Sequence, residues 1–535
     1  MIEIAQIHTL PANLEDNYKK IRRCIKEAEK KGVKTLIFPA FSLTGYPLAD
    51  EFFSHDFPTQ CWAYVERLLK YTENIAVVLD IPFRKKHVVS VHRLMWLENR
   101  KIKAFSDNSH GWYADGIDFH RYFEFPKRSK SSKSFEFGLA FMPEFLEKFY
   151  ISGFEETEKF KKWIVLDAPS SFIYGSAEGT IDILCKIAEQ NNIEIFYANA
   201  VGGRGSLILE GGSVHIDSNG KVLKQYPYFE ESFLDSNVGA GVSTGSTTAN
   251  PELVEGSPPP KPKVEWIYDA LICGIRDFFK DRGLKSAVIG LSGGIDSAVV
   301  LPLLVKALGR KNVLGVLMPS QYSSKHSITD AVKSAENLGV EYTIIPIEKA
   351  FQTMHETLLP VFGKRPFDLA EENLQARIRG MILMGISNKL GHVVINNSNK
   401  SELAMGYSTL YGDLCGALSP IGDLYKTEVY ELARFINRKR EIIPQNSIDK
   451  APSAELRPNQ KDSDSLPEYD VLDVILRMHI DDQMSASEII EKGFESELVI
   501  KILNSVRNNA YKRRQAPPQL RVSSSAFGID RVMVS

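Results

Sequence analysis

The sequence predicts an α/β protein in both of its halves, with a doubly wound parallel sheet in the second. Three observations lead to this prediction. The chain has 535 residues, too many for one hydrophobic core. In residues 266–535, short apolar strands alternate with helical patterns, as in parallel sheets that are covered by helices. In residues 1–237, strands and helices also alternate, but the strands include hairpins, such as the one that turns at Ser218-Asn219-Gly220.

The first helix of the chain shows its pattern clearly. Apolar residues recur at helical spacing at Tyr18, Ile21, Ile25 and Ala28, and Gly32 follows as a helix terminator. A strand pattern lies on either side of this helix. The order strand, helix, strand opens a layered α/β domain.

A linker separates the two halves. Residues 238–265 are rich in Gly, Ser, Thr and Pro and contain Pro258-Pro259-Pro260, which favours an extended connection. We therefore predict a first domain over 1–237 and a second over 266–535. Residues 446–470 are polar and show no apolar period, which predicts a mobile loop inside the second domain.

Composition excludes several classes of protein. The chain is 43% hydrophobic and 25% charged, and its net charge of −2 indicates neither nucleic-acid nor membrane binding. The five cysteines include no CxxC pair, which argues against a disulfide framework or a zinc site. No signal peptide pattern and no apolar stretch of roughly 18–20 residues is present, so we expect a cytoplasmic protein.

The segment "VIGLSGGIDSA" (288–298) predicts a phosphate-binding loop. An apolar strand runs into Ser292–Ser297 and then into a helix, so that two glycines, two hydroxyls and a helix N-terminus form a cradle for anions. No lysine follows, which excludes the GxxxxGK[ST] loop. Asp296 would repel phosphates unless a cation were present, so it indicates Mg²⁺. The alternative is a tight strand-to-helix turn with a chance pair of glycines.

This loop resembles the SGGxDS loop of the N-type ATP pyrophosphatases, and the surrounding chain is similar to NAD⁺ synthetases over about residues 266–528. Five further segments share this similarity: "ENLQARIRG" (372–380), "NNSNKSELAMGYSTLYGD" (396–413), "SPIGDLYKTEVYELAR" (419–434), "APSAELRPNQKDSDSLPEYD" (451–470) and "YKRRQAPP" (511–518). The resemblance implies that the carboxylate of deamido-NAD attacks ATP, that pyrophosphate leaves, and that ammonia displaces AMP from the acyl-adenylate. ATP and Mg²⁺ would be required.

The resemblance also implies roles for individual residues. Asp296 and Glu402 would hold Mg²⁺ and, with Lys426, would form the catalytic group. The main chain near Met318 would face adenine. The residues expected to contact ATP are Gly290, Leu291, Ser292, Gly293, Gly294, Ile295, Asp296, Ser297, Met318, Asn397, Lys426 and Ser453. The residues expected to contact deamido-NAD are Asn373, Arg377, Glu402, Tyr511 and Lys512.

Several of these residues have simpler interpretations. Arg377 and Arg379 could form one solvated helix face, Lys512 could belong to a surface charge run, and Glu402 could be an acid at a helix start. At Asn397-Ser398 the sequence departs from the threonine and glycine that are common in the family. An asparagine can still donate and accept hydrogen bonds.

The first half resembles nitrilase-type glutaminase domains, which are αββα sandwiches, over about residues 1–225. The similar segments are "IEIAQIHTLPANLEDNYKKI", "FPAFSLTGYP", "HRYFEF" and "YANAVGGRGSLILEGGSVHIDSNG". Such glutaminases use a Glu-Lys-Cys triad, but Ala40 stands where the glutamate follows Phe-Pro, and the lysine position falls near Asn108. No cysteine lies between Cys61 and Cys185, and Cys185 belongs to a helical apolar pattern that predicts a packing role.

Three functional hypotheses follow. The first is an NAD⁺ synthetase that uses free ammonia and has lost its glutaminase. The second keeps glutamine as the donor, through a relocated nucleophile or a separate amidotransferase partner. The third is a non-catalytic nucleotide-binding protein, against which the retained Asp296, Glu402 and Lys426 argue. The resemblance also implies a homo-oligomer, either a dimer of synthetase domains or a larger assembly.

Overall fold

The computed structural model of the chain describes residues 1–48, 56–83, 91–105, 137–142, 160–167, 172–234, 261–458 and 460–531. The chain forms two compact units, Met1–Arg204 with Leu209–Pro260, and Gly205–Ile208 with Lys261–Ser535. Most of the predicted linker lies outside the described residues. At its end the structure differs from the prediction, because a helix already begins at Lys263, directly after Pro262. Proline has the φ angle that a helix start needs.

The described residues of the first unit form two five-stranded sheets. The first sheet has the order β1-β2-β3-β4-β5, in which β1, β2 and β3 are parallel, and the second has the order β12-β11-β8-β7-β6. A separate hairpin joins β9 and β10. The strands are β1 (Ile2–Ile4), β2 (Thr35–Ile37), β3 (Ala76–Phe83), β4 (Val91–Glu98), β5 (Lys101–Phe105), β6 (Phe137–Phe141), β7 (Lys162–Leu166), β8 (Glu194–Ala198), β9 (Val201–Arg204), β10 (Leu207–Glu210), β11 (Val214–Ile216) and β12 (Val222–Gln225).

In the described part of the first unit, three helices cover the sheets: α1 (Leu14–Lys30), α2 (Phe57–Leu69) and α3 (Ser176–Asn191). Successive residues of β7 point to opposite faces of its sheet. Ile164 and Leu166 therefore join the core that also contains β1–β4, α1 and α2. Trp163 and Val165 join a second core with the apolar face of α3. The layers follow the order helix, sheet, sheet, helix, which confirms the predicted αββα sandwich.

The second unit is built on a four-stranded parallel sheet with the order β15-β14-β13-β16. Its strands are β13 (Ala287–Gly290), β14 (Val313–Leu317), β15 (Glu341–Ile344) and β16 (Val393–Ile395). The chain leaves β13 toward β14 on one side and returns to β16 on the other. The carboxyl end of β13 is therefore the point where the strand order reverses, which is where doubly wound proteins bind ligands. The predicted fold class is confirmed.

Helices surround this sheet: α4 (Lys263–Asp281), α5 (Ile295–Leu308), α6 (Lys325–Leu338), α7 (Glu348–Phe362), α8 (Leu369–Leu390), α9 (Lys400–Met405), α10 (Lys426–Ile436), α11 (Gln445–Asp449), α12 (Tyr469–Ile480), α13 (Ala486–Glu491), α14 (Ser496–Asn508) and α15 (Ala510–Arg513). Val288 and Val394 of the sheet pack against Ile378 and Leu383 of α8. None of the helices in the described part of the chain combines the length and the apolar character that a bilayer crossing needs.

The segment 446–470 is more structured than its composition predicts. It includes most of α11 and the first residues of α12, and a short 3₁₀ turn occupies Asp462–Asp464. Between these elements, Ser453 donates a hydrogen bond to the carbonyl of Gln460 at 2.6 Å. The movement of this loop stays a prediction.

Candidate functional site

The phosphate-loop candidate lies at the carboxyl end of β13. Gly290 ends the strand, Leu291–Gly294 form the turn, and α5 begins at Ile295. The hydroxyls of Ser292 and Ser297 lie 3.2 Å apart, and the Ser292 hydroxyl accepts a hydrogen bond from the Gly294 N–H. No side chain caps the first turn of α5. Its N–H groups therefore remain available for an anion.

Gly293 is required by the close approach of this loop to α6. Its φ is +75°, a left-handed conformation that side chains disfavour. A Cβ on Gly293 would lie 2.1 Å from the carbonyl oxygen of Ser327. Glycine is therefore the residue that fits this position without backbone strain or overlap with Ser327.

One lysine and two carboxylates form a compact cluster beside the loop. The Lys426 ammonium lies 2.6 Å from Oδ2 of Asp296 and 3.1 Å from Oε1 of Glu402. The side chain of Lys426 is only 2% exposed. Asp296 comes from the first turn of α5, Glu402 from α9 and Lys426 from the start of α10, so the fold assembles the cluster from three distant segments.

The cluster places two carboxyl groups beside one ammonium. Burial, aided by the carboxylates of Asp296 and Asp462 and opposed by Lys426, raises the pKa of Glu402 to about 8. Burial opposes the charge on Lys426, but Asp296 and Glu402 outweigh it and raise its pKa. Two carboxyl groups therefore share one ammonium, and a bound cation would favour the ionised form of Glu402.

This charge balance fits a divalent cation. Among the described residues, no group of three or more His, Cys, Asp or Glu side chains forms a preassembled metal centre. Mg²⁺ typically binds through one or two carboxylates together with substrate phosphates, so such a centre is not needed. Asp296 and Glu402 offer the hard oxygen ligands that Mg²⁺ prefers. The residues present therefore fit the metal.

A cavity of about 330 Å³ opens over the loop and the cluster. Of the residues predicted to contact ATP, Gly293 is the one that does not line it. Asn397 donates from Nδ2 to the carbonyl of Gly290 at 2.9 Å, whereas its buried Oδ1 has no partner and is free to accept from a ligand. Met318 lies directly after β14, and Ser453 lies on the loop after α11.

The cavity-lining residues that the sequence did not predict include Arg379, Lys450 and Glu455. Arg379 donates from Nε to the Met318 carbonyl at 3.0 Å, and burial lowers the pKa of its guanidinium to about 10. Glu455 accepts hydrogen bonds from Ser324 and Ser327, and Lys450 donates to the Ser327 hydroxyl at 2.8 Å. The position of Arg379 beside the apolar stripe of α8 could have indicated a buried cation. No comparable pattern marks Lys450 or Glu455.

The residues predicted to contact deamido-NAD form a second group. Asn373, Arg377 and Lys512 each hydrogen bond to segment 406–410, at distances between 2.6 and 3.2 Å. Tyr511, next to Lys512, is 57% exposed. None of these four residues is among the described residues that line the cavity, whereas Glu402 is. The structure brings the ATP candidates together and gathers most dinucleotide candidates around a neighbouring segment.

The first unit has no preassembled thiol nucleophile among its described residues. Ala40, three residues after β2, is 2% exposed and can provide no proton transfer. Asn108, the other predicted vacant position, lies outside the described residues. Burial raises the pKa of Cys24 and Cys61 to about 12 and that of Cys185 to about 11. These thiols are therefore protonated and unreactive near neutral pH.

Comparisons with known proteins agree with this architecture. Residues 267–516 match the NAD synthase family model. The chain is 37% identical to a glutamine-dependent NAD(+) synthetase of Synechocystis sp., with 98% of this chain and 97% of the relative covered. It is 35% identical to the enzyme of the same name from Thermotoga maritima, with 99% and 97% covered.

Solved structures include a similar protein. A glutamine-dependent NAD+ synthetase from Acinetobacter baumannii, in complex with adenosine diphosphate, superposes with a TM-score of 0.75 at 30% identity. The alignment covers 99% of this chain and 97% of that one. With relatives of this identity matched along nearly their whole length, the chain belongs to the NAD synthetase family.

Proposed function

We propose that this protein is an NAD⁺ synthetase that converts deamido-NAD into NAD⁺ at the expense of ATP. One observation supports this proposal above all others. A phosphate-binding loop, a buried lysine and two carboxylates meet in one cavity at the carboxyl end of β13. This arrangement combines an anion cradle with a cation site, and adenylation of a carboxylate needs both.

Different residues of the cavity have different roles in the first step, the adenylation of deamido-NAD. The N–H groups of the α5 start and the hydroxyls of Ser292 and Ser297 bind the pyrophosphate end of ATP. Lys426 and Arg379 offset negative charge as it develops on the departing pyrophosphate. Asp296 and Glu402 would hold Mg²⁺, which when bound neutralises phosphate charge and polarises the α-phosphate. Asn397 and the main chain near Met318 orient the nucleoside.

The reaction proceeds in two transfers. A carboxylate oxygen of deamido-NAD forms a bond to the α-phosphorus of ATP, and the bond to pyrophosphate breaks. Ammonia then forms a bond to the acyl carbon and loses a proton, and AMP leaves with the oxygen that joined it to the substrate. Adenylation is needed because a free carboxylate has no good leaving group. Asn373, Arg377 and Lys512 around segment 406–410, together with the exposed Tyr511, are proposed to bind the dinucleotide.

For the amide donor we propose free ammonia. Ala40 occupies the glutamate position of the triad, no cysteine lies between Cys61 and Cys185, and the three thiols of the first unit have raised pKa values. A thiol nucleophile needs a low pKa or an adjacent base. These three observations all argue against glutamine hydrolysis by this chain.

Glutamine is the second candidate, and the names of the relatives favour it. Proteins that are 35% and 37% identical along nearly the whole chain are named glutamine-dependent. A relocated nucleophile would need one of the described thiols to be activated, which burial opposes. A separate amidotransferase partner would meet no such obstacle.

A donor comparison tests both candidates. Purified protein receives ATP, Mg²⁺ and deamido-NAD with either ammonium or glutamine, and NAD⁺ and pyrophosphate are measured. Synthesis with ammonium and little with glutamine supports the proposal, and robust synthesis with glutamine supports the second candidate. If pyrophosphate is released with neither donor, the result supports the third hypothesis, a non-catalytic nucleotide-binding protein. Lys426→Met is the inactive control, because it removes the cation of the cluster.

We also propose that two copies associate through α7 and α8. None of the residues of α7 is buried, and both helices expose large apolar side chains. These are Met354, Leu359, Val361, Leu369, Met381, Met384 and Leu390. An exposed apolar surface of this kind is typical of an interface.

A further inference from the structure

Asn399 joins the two proposed magnesium ligands. Its Nδ2 donates a hydrogen bond to Oδ1 of Asp296 at 3.0 Å. Its Oδ1 accepts one from the backbone N–H of Glu402, also at 3.0 Å. The side chain is fully buried, so water does not compete for either bond. The amide nitrogen of Asn399 thus contacts one proposed metal ligand, and its amide oxygen contacts the backbone of the other.

The first of these bonds fixes the carboxylate of Asp296. Lys426 holds Oδ2, and Asn399 holds Oδ1. A carboxylate that is held at both oxygens keeps one orientation, and outer hydrogen bonds of this kind orient metal ligands in proteins. The second bond caps the N-terminus of α9, the helix that contains Glu402.

The position of α9 does not depend on this cap alone. Lys400 forms buried ion pairs with Asp423 at 3.1 Å and with Asp481 at 2.9 Å. Ser401 donates to the carboxylate of Asp473 at 2.5 Å and accepts from the Lys426 N–H at 2.9 Å. These contacts of Lys400 and Ser401 hold α9 in place. The bond from Asn399 to Asp296 is therefore not needed to position the helix.

We propose that Asn399 is a positioning residue that sets Asp296 and Glu402 at the separation and orientation that a divalent cation requires. Asparagine suits this task because serine or threonine would cap the helix but would be too short to reach Asp296. Aspartate would cap the helix too, but it would place a third carboxylate against Asp296 and would offer no donor. The inference rests on the proposed function, since it assumes that Mg²⁺ binds with ATP.

The test compares nucleotide binding with and without Mg²⁺. Isothermal titration calorimetry measures the affinity for the α,β-methylene analogue of ATP, which cannot be cleaved between the α and β phosphates, in excess Mg²⁺ and in EDTA. The variant Asn399→Ser keeps a capping oxygen and removes the donor. We expect it to reduce the enhancement of affinity by Mg²⁺ about 10-fold or more. The affinity in EDTA should stay nearly the same.

The controls separate positioning from stability. Ser485→Ala removes the cap of α13, away from the cavity, and should lower the melting temperature without changing the enhancement by Mg²⁺. If Asn399→Ser is not obtained folded, Asn399→Thr replaces it, because threonine also caps. Equal weakening with and without Mg²⁺, or an unchanged enhancement, would overturn the inference alone. An unaltered protein that shows no enhancement by Mg²⁺ would overturn the proposed function as well.

Discussion

Substitution of the loop glycines tests whether the bend at Ser292–Ser297 is the nucleotide site. Gly293 combines φ +75° with a Cβ position 2.1 Å from the Ser327 carbonyl oxygen. Gly294, next to it, has φ −80°, and its nearest contact would be the rotatable Ser292 hydroxyl at 3.2 Å. Gly283 has φ +65° with open space around it. Alanine at these three positions separates strain in φ from steric overlap.

The expected losses of stability follow from these geometries. Alanine in a left-handed conformation costs about 1–2 kcal/mol, which is the whole effect at Gly283. At Gly293 the overlap with backbone adds about 1–3 kcal/mol, because neither the loop nor the start of α6 can move freely. The sum for Gly293→Ala is therefore about 2–5 kcal/mol. Gly294→Ala has neither cost and should change the stability by less than about 0.5 kcal/mol.

The assay is thermal unfolding with and without ATP and Mg²⁺. A ligand that binds the native state raises the melting temperature of the unit that contains its site. Gly283→Ala, away from the cavity, should keep this increase. Gly293→Ala should lose it, because the loop can accommodate the methyl group only by moving its N–H groups away from the phosphates. An undiminished increase in Gly293→Ala would refute the assignment of the loop.

Three further predictions concern other parts of the molecule. The three cysteines of the first unit should resist iodoacetamide at pH 8 in the native protein, because burial raises their pKa values. Mass spectrometry measures the labelling. Rapid labelling that is coupled to loss of glutamine-driven synthesis would support glutamine as the amide donor. Arg379→Met should weaken ATP binding about 10-fold or more, since it removes a buried cation that lines the cavity. Arg377→Met should instead raise the KM for deamido-NAD and leave ATP binding unchanged. The reverse pattern would contradict the division into two groups. Met381→Glu combined with Met384→Glu should convert a dimer into monomers in analytical ultracentrifugation, and an unchanged mass would place the interface elsewhere.

The parts of the site that could be predicted from the sequence are those whose chemistry is local. The loop contains its glycines, hydroxyls and Asp296 within eight consecutive residues, and the strand and helix that flank it have clear patterns. The loss of the triad glutamate at Ala40 could also be predicted, because Phe38 and Pro39 identify that position in the sequence. Patterns within a few consecutive residues were enough to identify these positions.

The parts that could not be predicted depend on contacts between distant segments. Arg377 and Arg379 are two residues apart and so lie about 200° apart on a helix. In the structure Arg377 is exposed and Arg379 lines the cavity, so the interpretation of both as one solvated face does not hold. The bond from Asn399 to Asp296 joins residues 103 positions apart, and nothing in the sequence near either residue indicates it.

The charge of the cavity explains why a phosphate site contains an aspartate. A triphosphate beside Asp296, Glu402 and Asp462 would be repelled by these carboxylates, although Lys426, Arg379 and Lys450 also line the cavity and offset part of the charge. Burial is the main cause of the raised pKa of Glu402, but Asp296, Glu402 and Asp462 are three carboxyl groups beside one lysine, which is an excess of negative charge when all of them are ionised. A monovalent ion would leave that excess largely in place once the phosphates arrived, whereas a divalent ion offsets charge on the protein and on the nucleotide together. We therefore expect the same carboxylates that oppose ATP alone to favour ATP with Mg²⁺, so that the site selects the complex over the free nucleotide.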